Sequence, residues 1–239
     1  MKELKLLYEG NSKIIYGCDV DGHVVIRFKD DATAFYNIKR AIIENKGKMN
    51  CRISSMVLGY LNSHGVATHF VEQLNDTDQL CRCAKHMAFE VIVRNVIAGS
   101  MAKRLGLDEG LTPENVIFDL CLKSDELGDP LINDHHAVAL GLATYDELAT
   151  IYAISAKINT LLCELFDKAG ISLVDFKIEF GRTAVGDLIL VDEFTPDTCR
   201  LWDKATGERM DKDRFRRDLG HVRETYEEVA SRLANILKK

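Results

Sequence analysis

No run of 18 apolar residues occurs anywhere in the 239-residue chain, so a membrane-spanning helix is not expected. The N-terminus, Met-Lys-Glu-Leu-Lys, has no apolar h-region, which argues against secretion and points to the cytoplasm. Seven cysteines are present without metal-knuckle spacing: Cys81 and Cys83 are one residue apart, and no His or Cys pair follows. All seven are expected as reduced thiols. Clustered positive charge is also scarce. Lysine and arginine number 31 against 37 aspartates and glutamates, and only Arg214, Arg216 and Arg217 are grouped, which argues against nucleic acid as a partner. Internal repeats and low-complexity segments are missing, so solenoid and linker architectures are not expected.

What is present is ordinary globular composition, 46% hydrophobic and 28% charged, long enough for one large domain or two small ones. The most informative stretch is Leu173 to Arg200. Val174, Phe176, Ile178 and Phe180 alternate with Asp175, Lys177 and Glu179, the period-two pattern of a strand with one packed and one polar face. Gly181 to Asp187 reads as a turn, and the apolar run Leu188 to Val191 ends in Asp192 and Glu193. A turn symmetric about Ala184 and Val185 places Lys177 opposite Asp192, with Glu179 diagonal on the same face; a one-residue slip would flip that face. Two carboxylates around a lysine suit a magnesium-bound phosphate. A solvated strand face laced with salt bridges is the alternative.

Elsewhere, Lys13 to Gly17 and His23 to Phe28 predict a hairpin turning at Asp21-Gly22. The preceding Tyr8 to Lys13 loop could fold its amides and ammonium over nucleotide phosphates, or be a plain turn. Lys39 to Lys48 reads as charged and mobile, and Met49 to His64 as a helix capped by Gly65. Val66 to Leu74, Gln79 to Ala84, Phe89 onward and Val116 to Lys123 read as strands. Glu90 and Arg94 share one face of theirs. Ala98-Gly99-Ser100 opens a short helix whose first amides, with an arginine, could seat a phosphate ester; an N-cap with a structural ion pair serves equally. An acidic loop spans Ser124 to Pro130, and His135 and His136 read as loop residues without a ligand role. A capping box of Thr144 and Glu147 predicts a long amphipathic helix to Ala169, and a last one spans Val222 to Leu237.

Taken together, the segments Leu173 to Gly181, Glu90 to Arg94 through Ala98-Gly99-Ser100, and Asp192 to Arg200 resemble the SAICAR synthetases (phosphoribosylaminoimidazole-succinocarboxamide synthases) of purine biosynthesis, and the likeness runs from Tyr8 to the last helix. The resemblance implies an α+β fold related to ATP-grasp proteins, with antiparallel sheets, packed helices and a nucleotide cleft between residues 1–85 and residues 86–239. It implies an ATP-dependent ligase joining the carboxylate of carboxyaminoimidazole ribonucleotide (CAIR) to L-aspartate, giving SAICAR, ADP and phosphate, with ATP and Mg2+ required. Gly10, Asn11, Ser12 and Lys13 match the phosphate-covering loop, and main chain at Lys85, His86 and Met87 the adenine contact. Lys123 and Asp129 match a segment near ATP, and Glu179 and Asp192 the metal ligands. Arg94, Ser100 and Arg200 match the sugar-phosphate seat; Glu90, Asp175 and Lys177 lie near the reacting carboxylate and ribose. Aspartate is placed only near the Ala32 to Lys39 loop and Asp197. Family members are often homo-oligomers, and neither membrane nor nucleic acid is implied.

Four positions depart from the family pattern. Asn11 replaces a lysine, Ala34-Phe35-Tyr36-Asn37 alters the aspartate-side loop, Ala88 replaces a proline, and Cys51 stands where Asn or Thr is commoner. The altered loop keeps open a paralogous amide ligase with another amine or carboxylate. Asn11, which removes a positive charge, keeps open a nucleotide-binding protein without catalysis.

Overall fold

Short alternating segments build the first half of the chain in the computed structural model, which describes residues 5–34 and 38–238. Strands β1 (Lys5–Glu9), β2 (Lys13–Gly17) and β3 (His23–Phe28) precede a small hairpin, β4 (Asp31–Ala34) with β5 (Lys39–Ile42). Helix α1 (Lys46–Ser63) follows, then β6 (Phe70–Gln73) and β7 (Asp78–Arg82). All but the small hairpin form a five-stranded antiparallel sheet in the order β1-β2-β3-β7-β6. The segment from Lys39, expected to be charged and mobile, is instead ordered. Pairing with β4 satisfies its backbone, and α1 starts three residues before the predicted Met49. A Cβ at Gly47 would stand 2.7 Å from the Phe28 carbonyl oxygen, so glycine lets this helix start press against β3.

The second half contains β8 (Lys85–Arg94), α2 (Gly99–Leu105), β9 (Ile117–Leu122), β10 (Leu131–Ile132), α3 (Asp134–Ala139) and α4 (Tyr145–Lys168). It closes with β11 (Ile171–Arg182), β12 (Leu188–Val191), β13 (Cys199–Asp203), α5 (Asp213–Arg216) and α6 (Val222–Leu237). A second antiparallel sheet runs β10-β9-β8-β11-β12, with β13 also on β11. The break between the two sheets falls between Arg82 and Lys85, but the larger core does not respect it. Ile53, Val57 and Leu61 of α1 pack in one cluster with Phe89, Ile158, Phe176 and Leu233. Contrary to the loop expectation, His135 and His136 lie in α3, where His136 completes a capping box with Asn133. The Thr144–Glu147 capping box starts α4 as expected.

Helix α4 is long and apolar enough, by length and composition alone, to cross a membrane. Here its stripe of Leu148, Ile151, Ile158, Leu162 and Leu165 is buried in the core, each contributing roughly 1.5–3 kcal/mol of transfer free energy. Its job is to back β11. That leaves the opposite, polar face of β11 open.

Candidate active site

Strand β11 is bordered by β8 on one side and, on the other, first by β13 and then by β12. The change of neighbour happens at Lys177, whose amide bonds the Thr198 carbonyl at 2.8 Å. There the chain leaves the sheet as the loop from Asp192 to Thr198. The central strand is thus flanked by a gap in its edge partner beside its one polar-face lysine. Across the other border Asp175 faces Arg94 and Glu179 faces Glu90, so the carboxylates and the arginine share a face.

The hairpin register differs by one residue from the symmetric expectation: Glu179 pairs with Val191 and Arg182 with Leu188. On strand alternation alone, that slip would send Asp192 to the packed face. Instead Asp192 adopts a left-handed backbone, φ 67°, which ends β12 and brings its carboxylate back to the polar side. Lys177 Nζ accordingly lies 2.6 Å from Glu179 Oε1, 2.9 Å from Asp192 Oδ2 and 3.4 Å from Glu90 Oε2. Lys13 reaches Asp192 from the other sheet and sits 3.2 Å from Glu193 Oε2; Lys123 pairs with Glu179, and His86 Nδ1 approaches it at 3.3 Å.

The charges hold one another in place. Burial alone would pull the Lys177 ammonium down, but Asp192, Glu179 and Glu90 outweigh it and raise it well above the ordinary lysine value. Burial and the Asp192 charge push Glu179 up, yet Lys177, His86 and Lys123 keep it at about 2. Asp192 is likewise driven up by burial and brought well below the ordinary carboxylate by Lys13 and Lys177. Glu90 and Glu193 go the other way, burial raising both. His69, buried beside them, is lowered to about 4 by burial and Lys13, so it is neutral at pH 7.

At the other end of the face the cations are arginines. Asp175 Oδ2 accepts from Arg94 Nη1 at 3.1 Å and from Arg200 Nη1 at 2.7 Å, and Arg94 Nε donates to Asp119 at 2.8 Å. Arg94 is only 1% exposed. Arg200 is further held by Asp213, which also binds Arg216. Its guanidinium lies over Gly99, φ 58°, where a Cβ would come within 2.2 Å of Nη2.

Two cavities meet at this face. The larger, about 660 Å³, is lined by Glu90, Arg94, Ser100, Lys123, Asp129, Asp175, Lys177, Glu179, Asp197 and Arg200. The other, about 510 Å³, is lined by Gly10, Asn11, Ser12, Lys13, His86, Asp192 and Glu193, with the apolar walls Ile15 and Ile26. Lys123, Lys177 and Glu179 border both. Two expected residues stand apart. Lys85 and Met87 line neither cavity, Lys85 pairing with Arg182 and the Met87 side chain lying in the core, but the contact expected of this segment is a main-chain one, and His86 between them lines the smaller cavity. Asp197 reaches the larger cavity, but its carboxylate is engaged by Lys46 (2.5 Å), Asn50 (2.9 Å) and Tyr226 (2.8 Å). Phe35, Tyr36 and Asn37 of the expected aspartate loop lie outside the described residues. Glu193, His69 and Lys46 were not singled out from sequence. Only Glu193 carried a signal, since it adjoins Asp192 at the end of an apolar run.

The family model for SAICAR synthetase matches residues 6–233. The chain belongs to the SAICAR synthetase family. Phosphoribosylaminoimidazole-succinocarboxamide synthase of Fusobacterium nucleatum is 59% identical over 233 residues, 98% of each chain. That of Clostridium perfringens is 55% identical over 235 residues, 98% of this chain and 100% of its own. Among solved structures, the Ehrlichia chaffeensis synthase superposes with a TM-score of 0.94 at 43% identity, covering 96% of this chain and 98% of its own. A SAICAR synthetase in complex with ADP gives 0.93 at 42% identity, with 98% of both chains covered.

Among the described residues no group of three or more His, Cys, Asp or Glu side chains is arranged to hold a metal by itself. Glu179 and Asp192, however, converge within 3 Å of one Lys177 nitrogen. Two carboxylates completed by phosphate oxygens and water are the ordinary set for Mg2+, so these residues fit that ion once a nucleotide is bound.

Proposed function

We propose that the chain is an ATP-dependent ligase that joins the carboxylate of CAIR to the amine of L-aspartate, producing SAICAR, ADP and phosphate in purine biosynthesis. The observation that carries this reading is Lys177 beside Glu179 on the wall common to two cavities. One cavity has the amide-rich loop Gly10 to Lys13 and apolar walls suited to a nucleotide; the other has the arginine-lined seat suited to a sugar phosphate. The relative bound to ADP supports the nucleotide assignment. On this reading ATP lies in a cleft between residues 1–85 and 86–239, in the manner of ATP-grasp folds, and the γ-phosphoryl points at Lys177.

A carboxylate is a poor acyl donor because oxide is a poor leaving group. The substrate carboxylate oxygen attacks the γ-phosphorus, the bond to the ADP oxygen breaks, and an acyl phosphate results. The aspartate amine then attacks the acyl carbon, forming the C–N bond; phosphate departs and the amine loses a proton. Lys177 and Lys13 neutralise the transferring oxygens, exchanging their carboxylate partners for phosphate. Arg200 and Ser100 hold the sugar phosphate with Arg94, which is bonded to Asp119 and Asp175 and keeps Asp175 and Arg200 aligned. Glu90, whose carboxyl burial raises, faces the reacting end beside Lys177. Glu179 and Asp192 would hold Mg2+, which supplies charge neutralisation at the phosphates. The reaction belongs in the cytoplasm, and the chain is proposed to self-associate, which light scattering measures directly.

Mass analysis of products after incubation with ATP, Mg2+, L-aspartate and CAIR tests the reading; SAICAR and ADP in equal amounts are expected. No product with these substrates, but product from another amine or carboxylate in a panel, would mark a paralogous ligase. In the loop, Asn11→Lys restores a cation at the nucleotide cavity and should tighten ATP binding up to about tenfold.

A further inference from the structure

Glu109 lines neither cavity of the site, yet its carboxylate takes three hydrogen bonds. It stands in the loop between α2 and β9. Gly106 ends α2 in a left-handed conformation, φ 65°, and the chain doubles back along Ile97, whose amide donates to the Leu111 carbonyl at 2.8 Å and whose carbonyl accepts from the Gly110 amide at 2.9 Å. That return carries Glu109 to the start of the helix. There its Oε1 accepts from the Gly99 amide at 2.9 Å and from Arg217 Nη2 at 2.6 Å, and its Oε2 from Arg209 Nη2 at 3.0 Å. Arg217, the Gly99 amide and Arg209 hold the carboxyl at about 2 against the pull of burial, so it is ionised at pH 7. Both arginines come from the segment after β13, where the Arg209 guanidinium is braced over the Trp202 ring, 4.9 Å from its centroid.

These bonds close a ring around the Arg200 guanidinium. Arg217 Nη2 lies 3.5 Å from Asp213 Oδ2, Asp213 takes Arg200 Nε at 3.1 Å, and the guanidinium lies over Gly99, whose amide returns to Glu109. Arg200 Nη1 is spent on Asp175. Nη2 makes no hydrogen bond among the described residues, and it is the atom nearest to where a Gly99 Cβ would stand. The backbone at Gly99 therefore decides where this remaining nitrogen points.

We propose that Glu109 is a positioning residue for the sugar-phosphate seat: it fixes Gly99, and through Gly99 it aims Arg200 Nη2 at the phosphate. The proposal rests on the ligase reading and on Arg200 as a phosphate contact. Charge alone argues for the opposite sign. A carboxylate beside a seat for an anion repels that anion, and deleting Glu109 also releases two guanidiniums nearby, so electrostatics by itself predicts tighter binding. Position predicts weaker binding.

Steady-state kinetics of Glu109→Ala and Glu109→Gln decide between the two signs, with thermal melts confirming that both fold. Glu109→Ala should raise the KM for CAIR about tenfold and leave kcat and the KM for ATP within about twofold. Glu109→Gln keeps an acceptor oxygen for the Gly99 amide without the charge, and should recover part of the loss. Should Glu109→Ala not fold, Glu109→Asp, which keeps the charge but draws the oxygens back by one methylene, should show the same rise. In a Gly99→Ala background Glu109→Ala should add less than about threefold, because both changes act on one contact. A KM for CAIR that is unchanged or lowered in the folded Glu109→Ala variant overturns the proposal. Equal rises in the KM values for CAIR and ATP, or effects that multiply in the double variant, reduce Glu109 to a structural tie and overturn it too. Unmutated protein that makes no SAICAR overturns the ligase reading, and this role with it. Unmutated protein that ligates no differently from Glu109→Ala overturns only the role of Glu109.

Discussion

The two ends of the polar face of β11 use opposite charges in opposite ways. Around Asp175 a single carboxylate is gripped by two guanidiniums, and Arg94, only 1% exposed, donates from Nε to Asp119 and from Nη1 to Asp175. Around Lys177 a single ammonium is shared by three carboxylates, with Lys13 and Lys123 supplying further, replaceable contacts. Guanidinium is a planar fork that holds geometry, while ammonium is a point charge on a flexible stem that changes partners readily. The arginine end is therefore built to stay, and the lysine end to exchange carboxylates for phosphate. The same alternating strand supports both because its neighbours differ: β13 runs beside Asp175, and the chain leaves the sheet beside Lys177.

Breaking the fixed end should cost the most. Asp175→Ala strands Arg94 and Arg200 without their shared counter-ion and should lower unfolding stability by about 3–5 kcal/mol, measured by urea titration. A loss near zero would mean that water or substrate, not Asp175, compensates these arginines. Lys177→Met should cost less stability than Asp175→Ala, since Asp192 keeps Lys13 and Glu179 keeps Lys123 while only Glu90 loses its cation, but should reduce kcat about a hundredfold to a thousandfold. If instead it costs as much stability as Asp175→Ala and leaves kcat intact, the two ends are both structural and the contrast fails.

Gly99→Ala sharpens the contrast from outside the strand. The new Cβ would meet the Arg200 guanidinium at 2.2 Å in a backbone conformation that disfavours side chains. A penalty of about 1–2 kcal/mol is expected, read as a KM for CAIR raised roughly tenfold with the ATP KM unaffected.

The smallest effect concerns pH. Glu179 is held at about 2 against an ordinary 4.5, so its contribution to stability is complete above about 4.5 and is lost as pH falls toward 2. Glu90 and Glu193, raised by burial, contribute with the opposite sign. Melting temperature should decline over that acid range in the unmutated protein and decline less steeply in Glu179→Gln; equal slopes would remove Glu179 from the coupled lysine end.

Much of this arrangement was legible beforehand where the information is local. Alternation along Leu173 to Gly181 defines a two-faced strand, the Thr144–Glu147 box starts α4, and Val222 to Leu237 is the last helix at its expected bounds. Lys39 to Lys48 misled because charge without periodicity reads as mobile. Its order comes from β4 and from Asp197, 151 residues beyond Lys46 in sequence.

By itself, then, the sequence determined the elements, the family, and which residue types line the polar face of β11, because side-chain period and capping act over a few residues. Tertiary structure decided the partners. The hairpin register is one residue off the symmetric turn, and only the left-handed backbone at Asp192 returns its carboxylate to Lys177. Asp197, expected near aspartate, ties α1 to α6 through Lys46 and Tyr226 while still lining the larger cavity. Such outcomes depend on which charges meet across long sequence separations in a low-dielectric interior, and no local pattern encodes that meeting.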